Sequence, residues 1–322
     1  MKAILYLIVG GSTQRALDGD LALERMIFHF RIACIFFLLV CQTEAASKLR
    51  QVKTLLGRLP IVIPVAVAGS AILLEGYSRL PQNLIFGSKP RPIVPFKETD
   101  AVIIFPGAGG PDENTSNLAK AIIDSDKICG IKRHVEVYDW SPWRGNLIRA
   151  SFDGQSVGKI IGKQLAEEHK NLKSLHVMGV SVGAFAADSC SEEYQKSQTN
   201  NLRTTPAPYV RLTLLDPFTQ RGLFGTKYGL KLFGKSATYC EQFLNTDDPV
   251  PSTNEAISMG FVSDITGSAS RNDFVPIKGD SMHSWPVAYY GRKWVTKLNE
   301  DGTLYHPLHT AETMRGAVKK IP

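Results

Sequence analysis

The sequence predicts an α/β protein, a mostly parallel sheet with helices on both faces, and three observations predict it. Short apolar runs that read as buried strands alternate with segments whose apolar residues recur at helical spacing. Each such run ends in a turn rich in Gly, Pro or Asp. One run feeds Gly179-Val180-Ser181-Val182-Gly183 and then a helix of small residues. That junction is a strand-to-helix turn sharp enough to hold a serine strained at its tip.

The elements follow in chain order. Ala101-Val102-Ile103-Ile104-Phe105 is a fully apolar strand ending in Pro106-Gly107-Ala108-Gly109-Gly110-Pro111, with a helix from about Thr115 through Leu118, Ala121 and Ile122. Val135-Glu136-Val137-Tyr138 is the second strand. Val157, Ile160, Ile161 and Leu165 then repeat at helical spacing, and Gly158 and Gly162 form a small stripe expected to let that helix approach a sheet. Residues 175–178 are the strand feeding the serine turn. Glycine at 179 and 183 is expected to avoid collisions with neighbouring strand or helix, and Ala184, Ala186 and Ala187 to let the next helix lie close to the sheet. Residues 210–215 form another strand, stopping at Asp216-Pro217, and Gln242-Phe243-Leu244 a weaker one before Thr246-Asp247-Asp248-Pro249. Every candidate site residue falls at the carboxyl end of a strand, where parallel sheets gather their chemistry.

Composition bounds the rest. The chain has 322 residues, 43% apolar and 21% charged, enough for one or two domains with a full core. Residues 1–95 contribute a net +6 of the formal +7, so residues 96–322 are nearly neutral. A nucleic-acid partner, which needs a basic face on the folded domain, is excluded on that distribution. Five cysteines, two of them in an apolar leader, do not make a disulfide scaffold, and Cys190 is expected to pack behind the serine turn. The expected division is therefore an arm with a proline-rich linker over 1–95 and a catalytic domain over 96–322.

In the arm, residues 32–41 are unbroken and apolar behind Arg25 and Arg31, and small residues follow. This describes a signal peptide. A basic, acid-free stretch from 46 to 74 resembles an organelle-transit signal, and the two together resemble the bipartite plastid leader of algae with secondary plastids. The expected destination is the secretory pathway or extracellular space, or a plastid through that leader. Residues 61–74 form a second apolar stretch, a membrane-contacting or transit segment, short for a span.

A serine hydroxyl is a weak nucleophile, so Ser181 needs a base, and the base an orienting acid. In this kind of sheet the order along the chain is Ser, acid, His. His29, His134, His169 and His176 precede Ser181, which leaves His283, His306 and His309. His283 sits in a loop before Ala288-Tyr289-Tyr290, as a presented base should, whereas His306 and His309 read as surface residues or a weak metal pair. For the acid, Asp216 ends one strand, and Asp247 and Asp248 end the next; any of them could instead be a turn former beside proline. The oxyanion donors would be the N–H of Val182, after the nucleophile, and that of Ala108 in the early glycine loop. That loop lacks the third spaced glycine of a dinucleotide fingerprint.

With these residues in view, the chain resembles the pancreatic-lipase-type family of α/β-hydrolases across about residues 100–292. Tyr138-Asp139-Trp140, Ala150-Ser151-Phe152, the run from His176 to Ala184, Leu215-Asp216-Pro217 and His283 with Tyr289-Tyr290 each resemble a family stretch. The resemblance implies an α/β-hydrolase fold and selects Asp216 as the acid, with Asp248 and Asp247 as alternatives. It implies a carboxylic-ester hydrolase, a lipase or phospholipase, with an acyl-ester lipid as substrate, a membrane or lipid surface as partner, and no metal or organic cofactor. Departures are Val180 in place of a usual histidine and Phe105-Pro106-Gly107 in place of a histidine-glycine motif. The alternatives are a soluble esterase or thioesterase, and a non-catalytic binding protein of the same fold.

Residues 218–235 interleave aromatic and aliphatic side chains with Arg221, Lys227, Lys231 and Lys235, which reads as a lid or lipid interface, or as a loop packing its apolar groups inward. The glycosylation sequon Asn114-Thr115-Ser116 lies so close to the glycine loop that it is expected to be unused, or the protein to avoid the secretory lumen.

Overall fold

The computed structural model describes residues 59–80, 89–146, 149–200, 208–277, 281–293 and 314–322. By internal contacts the chain divides into two units, residues 1–69 and 70–322. Of the first, the described part is the opening of helix α1 (Leu59–Arg79). The signal-peptide reading and most of the transit reading fall outside the described residues. Among the described residues no helix is long and apolar enough to cross a membrane.

The second unit is an α/β sheet protein. After α1 come β1 (Asp100–Phe105), α2 (Glu113–Cys129), β2 (His134–Val137), α3 (Ala150–Glu168), β3 (Ser174–Val180) and α4 (Gly183–Asn200). They are followed by β4 (Tyr209–Leu215), α5 (Tyr228–Leu232), β5 (Tyr239–Leu244), β6 (Phe261–Asp264), α6 (Trp285–Lys293) and β7 (Val318–Lys320). The strands form one seven-stranded sheet in the order β2-β1-β3-β4-β5-β6-β7, and every pairing is parallel. The chain leaves β1 toward one edge and β3 toward the other. Their following loops therefore part to opposite faces, and a crevice opens between them at the carboxyl ends.

Alternation along each strand sorts the core into two layers. Ile103, Phe105, Leu175, Val177, Leu212 and Leu214 share one buried cluster with Val157 and Ile161 of α3 and Ala184 and Ala187 of α4. Val102, Ile104, Met178, Val180, Leu215 and Phe243 share the other with Leu118 of α2 and Trp285 and Tyr289 of α6. The second layer also holds polar groups, and they are paired. Arg211 meets Glu241 at 2.7 Å, Thr213 donates to the same carboxylate at 2.6 Å, and His176 reaches Thr213 at 2.8 Å. Such a buried ion pair fixes which strands neighbour one another more than it adds net stability.

The expected strands and helices all form, and the structure corrects three details. Gly158 and Gly162 face helix α4, not the sheet: a Cβ would stand 2.2 Å from Ala186 O and 2.4 Å from Cys190 O. α3 and α4 cover the same sheet face, so the small stripe serves helix-to-helix approach. Strands β6 and β7 were not foreseen; each is too short to show a periodic pattern, and β7 is exposed. Helix α2 starts at Glu113, because Asp112 caps it: Thr115 N donates to Asp112 Oδ1 at 2.7 Å and Asp112 N to Thr115 Oγ1 at 2.9 Å. Asn114, in that first turn, is only 8% exposed, which leaves no room for a glycan on the folded chain.

The compact unit begins at Ser70, so residues 70–80 and 89–95 pack with the sheet although composition groups them with the arm. Arg149, fully buried, donates to Tyr77 O at 2.6 Å and Leu80 O at 2.5 Å while paired with Asp153 at 3.1 Å. Glu75 accepts from Leu223 N at 2.7 Å, and Ile93 is buried.

Candidate active site

The turn after β3 is built as its glycines require. A Cβ on Gly183 would lie 2.3 Å from Phe105 O and 2.6 Å from Pro106 O, and one on Gly179 would lie 2.6 Å from Ala184 Cα. The backbone of β1 and helix α4 therefore close on the turn from both sides, and Ser181 is held at φ 52°. For a residue with a Cβ that left-handed conformation costs about 1–3 kcal/mol, offset by the surrounding structure. Hydrogen bonds pin it: Ser181 N donates to Leu215 O at 3.1 Å, and Ser181 O accepts from Phe218 N at 3.0 Å and Ala184 N at 3.1 Å. Cys190 on the same helix is buried, and burial pushes its thiol well above the ordinary range, which makes it a packing residue.

The next strand end carries Asp216, also at positive φ, 49°. Its N–H donates to Phe243 O at 3.0 Å, and its Oδ1 accepts from Asn245 N at 3.2 Å. Its Oδ2 lies 2.9 Å from His283 Nδ1. Asp248, after β5, also places its Oδ2 in hydrogen-bond contact with His283 Nδ1. Both acids proposed from the strand ends thus converge on one ring nitrogen. Asp247 does not join them; it turns outward to Arg271 at 2.5 Å. His306 and His309 lie outside the described residues.

Burial and the neighbouring carboxylate push Asp216 up to about 8, although His283 pulls the other way. Asp248 also feels desolvation, but hydrogen bonds from His283, Asp216 and Val250 N outweigh it and bring its carboxyl down to about 2. Burial alone would lower His283; the two carboxylates reverse that and raise it to about 9. The three side chains offer donor atoms within 4.8 Å of one another, so they are also the one group among the described residues able to share a cation. On Nδ1, a cation and the ring proton would compete for the same lone pair.

His283 Nε2 is buried and has no hydrogen-bond partner among the described residues, and no hydrogen bond joins it to Ser181 Oγ. The two residues are nevertheless tied to the same strand ends, because Ser181 N binds the carbonyl of the residue preceding Asp216. In unliganded sites the nucleophile–base contact is commonly loose.

The N–H groups of Ala108 and Val182 donate to no other group among the described residues. Gly107 brings the first loop against Ser181: a Cβ there would lie 3.1 Å from Ser181 Cβ. Two residues hold that loop in place and were not singled out from the sequence for this role. Trp140 Nε1 donates to Pro106 O at 2.9 Å, and Arg144 Nη1 donates to Ala108 O at 3.0 Å. The guanidinium fills the space beside Gly110, at φ 93°, where a Cβ would stand 2.1 Å from Arg144 Nη2. Asn245 is a third such residue; it is fully buried, and its Nδ2 donates to Met282 O at 3.1 Å, tying the histidine loop to the end of β5. Its place directly after an expected strand was the available signal.

Of residues 218–235, Phe233 and Leu230 pack inward, while Leu223, Phe224 and Leu232 are exposed among exposed Lys227, Lys231 and Lys235. The inward-packing reading holds for Phe233 and Leu230. No protein-family model matches the chain, and no curated protein is significantly similar to it.

Proposed function

We propose that this chain is a serine carboxylic-ester hydrolase of the α/β-hydrolase kind, resembling pancreatic-type lipases and acting on acyl esters of lipids. The observation that carries the reading is that neighbouring strand ends hold Ser181, strained at its turn and bonded to Leu215 O, and, from the next residue, Asp216, a half-buried imidazole also met by Asp248. The N–H groups of Val182, next to the serine, and of Ala108, in the loop that Gly107 brings against it, have no partner among the described residues.

Ser181 Oγ attacks the acyl carbonyl as His283 Nε2 takes its proton. The N–H groups of Ala108 and Val182 receive the oxyanion, a contribution of about 10²–10³ in rate for one donor. The imidazolium then returns its proton to the departing alcohol oxygen. Water, deprotonated by the same nitrogen, releases the acid and restores the serine. The lipid preference rests on exposed Leu223, Phe224 and Leu232 among lysines, a combination suited to a lipid surface.

Labelling with a fluorophosphonate probe tests the reaction, and Ser181→Ala should lose both the label and about 10⁶ in kcat. Comparable hydrolysis by that variant would refute it. A jump in rate above the solubility limit of a lipid ester supports the lipase reading; equal rates on monomeric esters point to a soluble esterase or thioesterase. The missing hydrogen bond between Ser181 and His283 favours a second reading, a non-catalytic binding protein of this fold, which predicts no labelling at all.

A further inference from the structure

We infer that His283 is served by a hydrogen-bonded pair, in which Asp216 is a carboxylic acid donating its proton to Asp248, and Asp248 is the carboxylate that orients the imidazole. The inference rests on His283 being the base proposed above. One Nδ1–H cannot satisfy two carboxylates, yet Oδ2 of both side chains lies against it. The donor atoms of the three side chains lie within 4.8 Å of one another, and two buried carboxyl groups that close favour holding one proton between them.

The surroundings decide which member keeps the proton. Asp248 Oδ1 accepts from Val250 N at 2.8 Å, so an anion there is held by a short backbone hydrogen bond. Asp216 is completely buried and has, besides the cluster, one long contact from Asn245 N at 3.2 Å. Among the described residues no lysine or arginine enters the cluster: Arg271 is engaged by Asp247, and Asp264 on β6 accepts from Thr266 N at 3.0 Å. Among the described residues of α6 and the histidine loop, only His283 itself faces the pair. Two buried anions would therefore be neutralised by the imidazole alone, leaving it too basic to accept a proton from serine near neutrality. A proton kept on Asp216 leaves one carboxylate for one imidazole. The shifts of the two carboxyls, upward for Asp216 and downward for Asp248, point the same way.

The test compares the full-length protein with Asp216→Asn, Asp248→Asn and the double variant. Asn at 216 copies the neutral acid, can donate to Asp248, and tolerates the positive φ of that position. Asp216→Asn should keep kcat/KM within about tenfold, whereas Asp248→Asn and the double variant should approach the roughly 10⁴-fold loss that follows a misdirected imidazole. Because Asn carries the same charge as the protonated acid, the rise of kcat/KM with pH should stay near its wild-type position in Asp216→Asn; a move to lower pH would show Asp216 ionised beside His283 and overturn the inference. The Nδ1-bound proton resonance of His283 should persist in Asp216→Asn and be lost in Asp248→Asn.

A large loss in Asp216→Asn with Asp248→Asn near wild type would overturn the inference, as would two near-normal single variants. If Asp216→Asn fails to fold, a wild-type-like Asp248→Asn is sufficient to refute it. Failure of the hydrolase reading is seen separately, as wild-type protein that takes up no probe while the resonance pattern is unchanged.

Discussion

Replacing Gly183 by alanine should damage both the fold and the chemistry, and the structure sets the size of each effect. The new Cβ would stand 2.3 Å from Phe105 O and 2.6 Å from Pro106 O, both backbone atoms of β1 and the loop after it. Ordinary contact begins near 3.4 Å, so the turn and the strand must separate by about 1 Å. Forcing a methyl into such a packed place costs about 1–3 kcal/mol. A displacement of about 1 Å between nucleophile and oxyanion loop lowers reactivity by about 10²-fold. Urea unfolding reads the first effect, and the rate of fluorophosphonate labelling under conditions where the variant is folded reads the second. Gly267→Ala, where a Cβ meets nothing within 4 Å, is the control and should change neither. A Gly183→Ala protein as stable and as quickly labelled as wild type would show that β1 does not press on the turn, and the steric account of the site would fail.

Three further outcomes follow from the same geometry. Trp140→Phe and Arg144→Ala should each slow labelling by about 10-fold or more under conditions where the variant is folded, because each frees one carbonyl of the proposed oxyanion loop; unchanged labelling rates would remove both from the site. Arg149→Met should cost about 3–5 kcal/mol in urea unfolding, since Asp153 would stay buried without its partner, and amides of residues 70–80 should exchange faster. Stability should fall as pH rises from about 6.5 to 8. His283, raised to about 9, contributes stability present below its ordinary value of 6.5 and lost as pH rises through 9, while Asp216, raised to about 8 from 3.8, binds its proton more tightly folded than unfolded. Urea midpoints across that range should decline for wild type and flatten in Asp216→Asn.

Much of the fold was legible because its strands are buried on both faces. Residues 101–105 are apolar throughout and residues 210–215 apolar but for the paired Arg211 and Thr213, a pattern that survives in a bare sequence. β6 and β7 offered no such signal: four and three residues long, they owe their pairing to strands already in place. Ser181 was legible for a local reason, since the glycines that relieve its clashes lie within two residues of it. The acid was not. Asp216 and Asp248 each end a strand beside a proline, and nothing local says that both reach the same nitrogen.

What the chain determines by itself is set by neighbours along it: the alternation of strands and helices, the sharp turn at Ser181, and the order of serine, acids and histidine. What tertiary structure decided is set by groups far apart in sequence: that Gly158 and Gly162 face a helix, that Trp140 and Arg144 hold the loop of Ala108, and that two carboxyl groups meet His283. The physical reason is range. Backbone sterics and burial periodicity act over a few residues and leave their mark in the residue order, whereas a proton shared by side chains from three separate loops depends on where the folded sheet brings those loops.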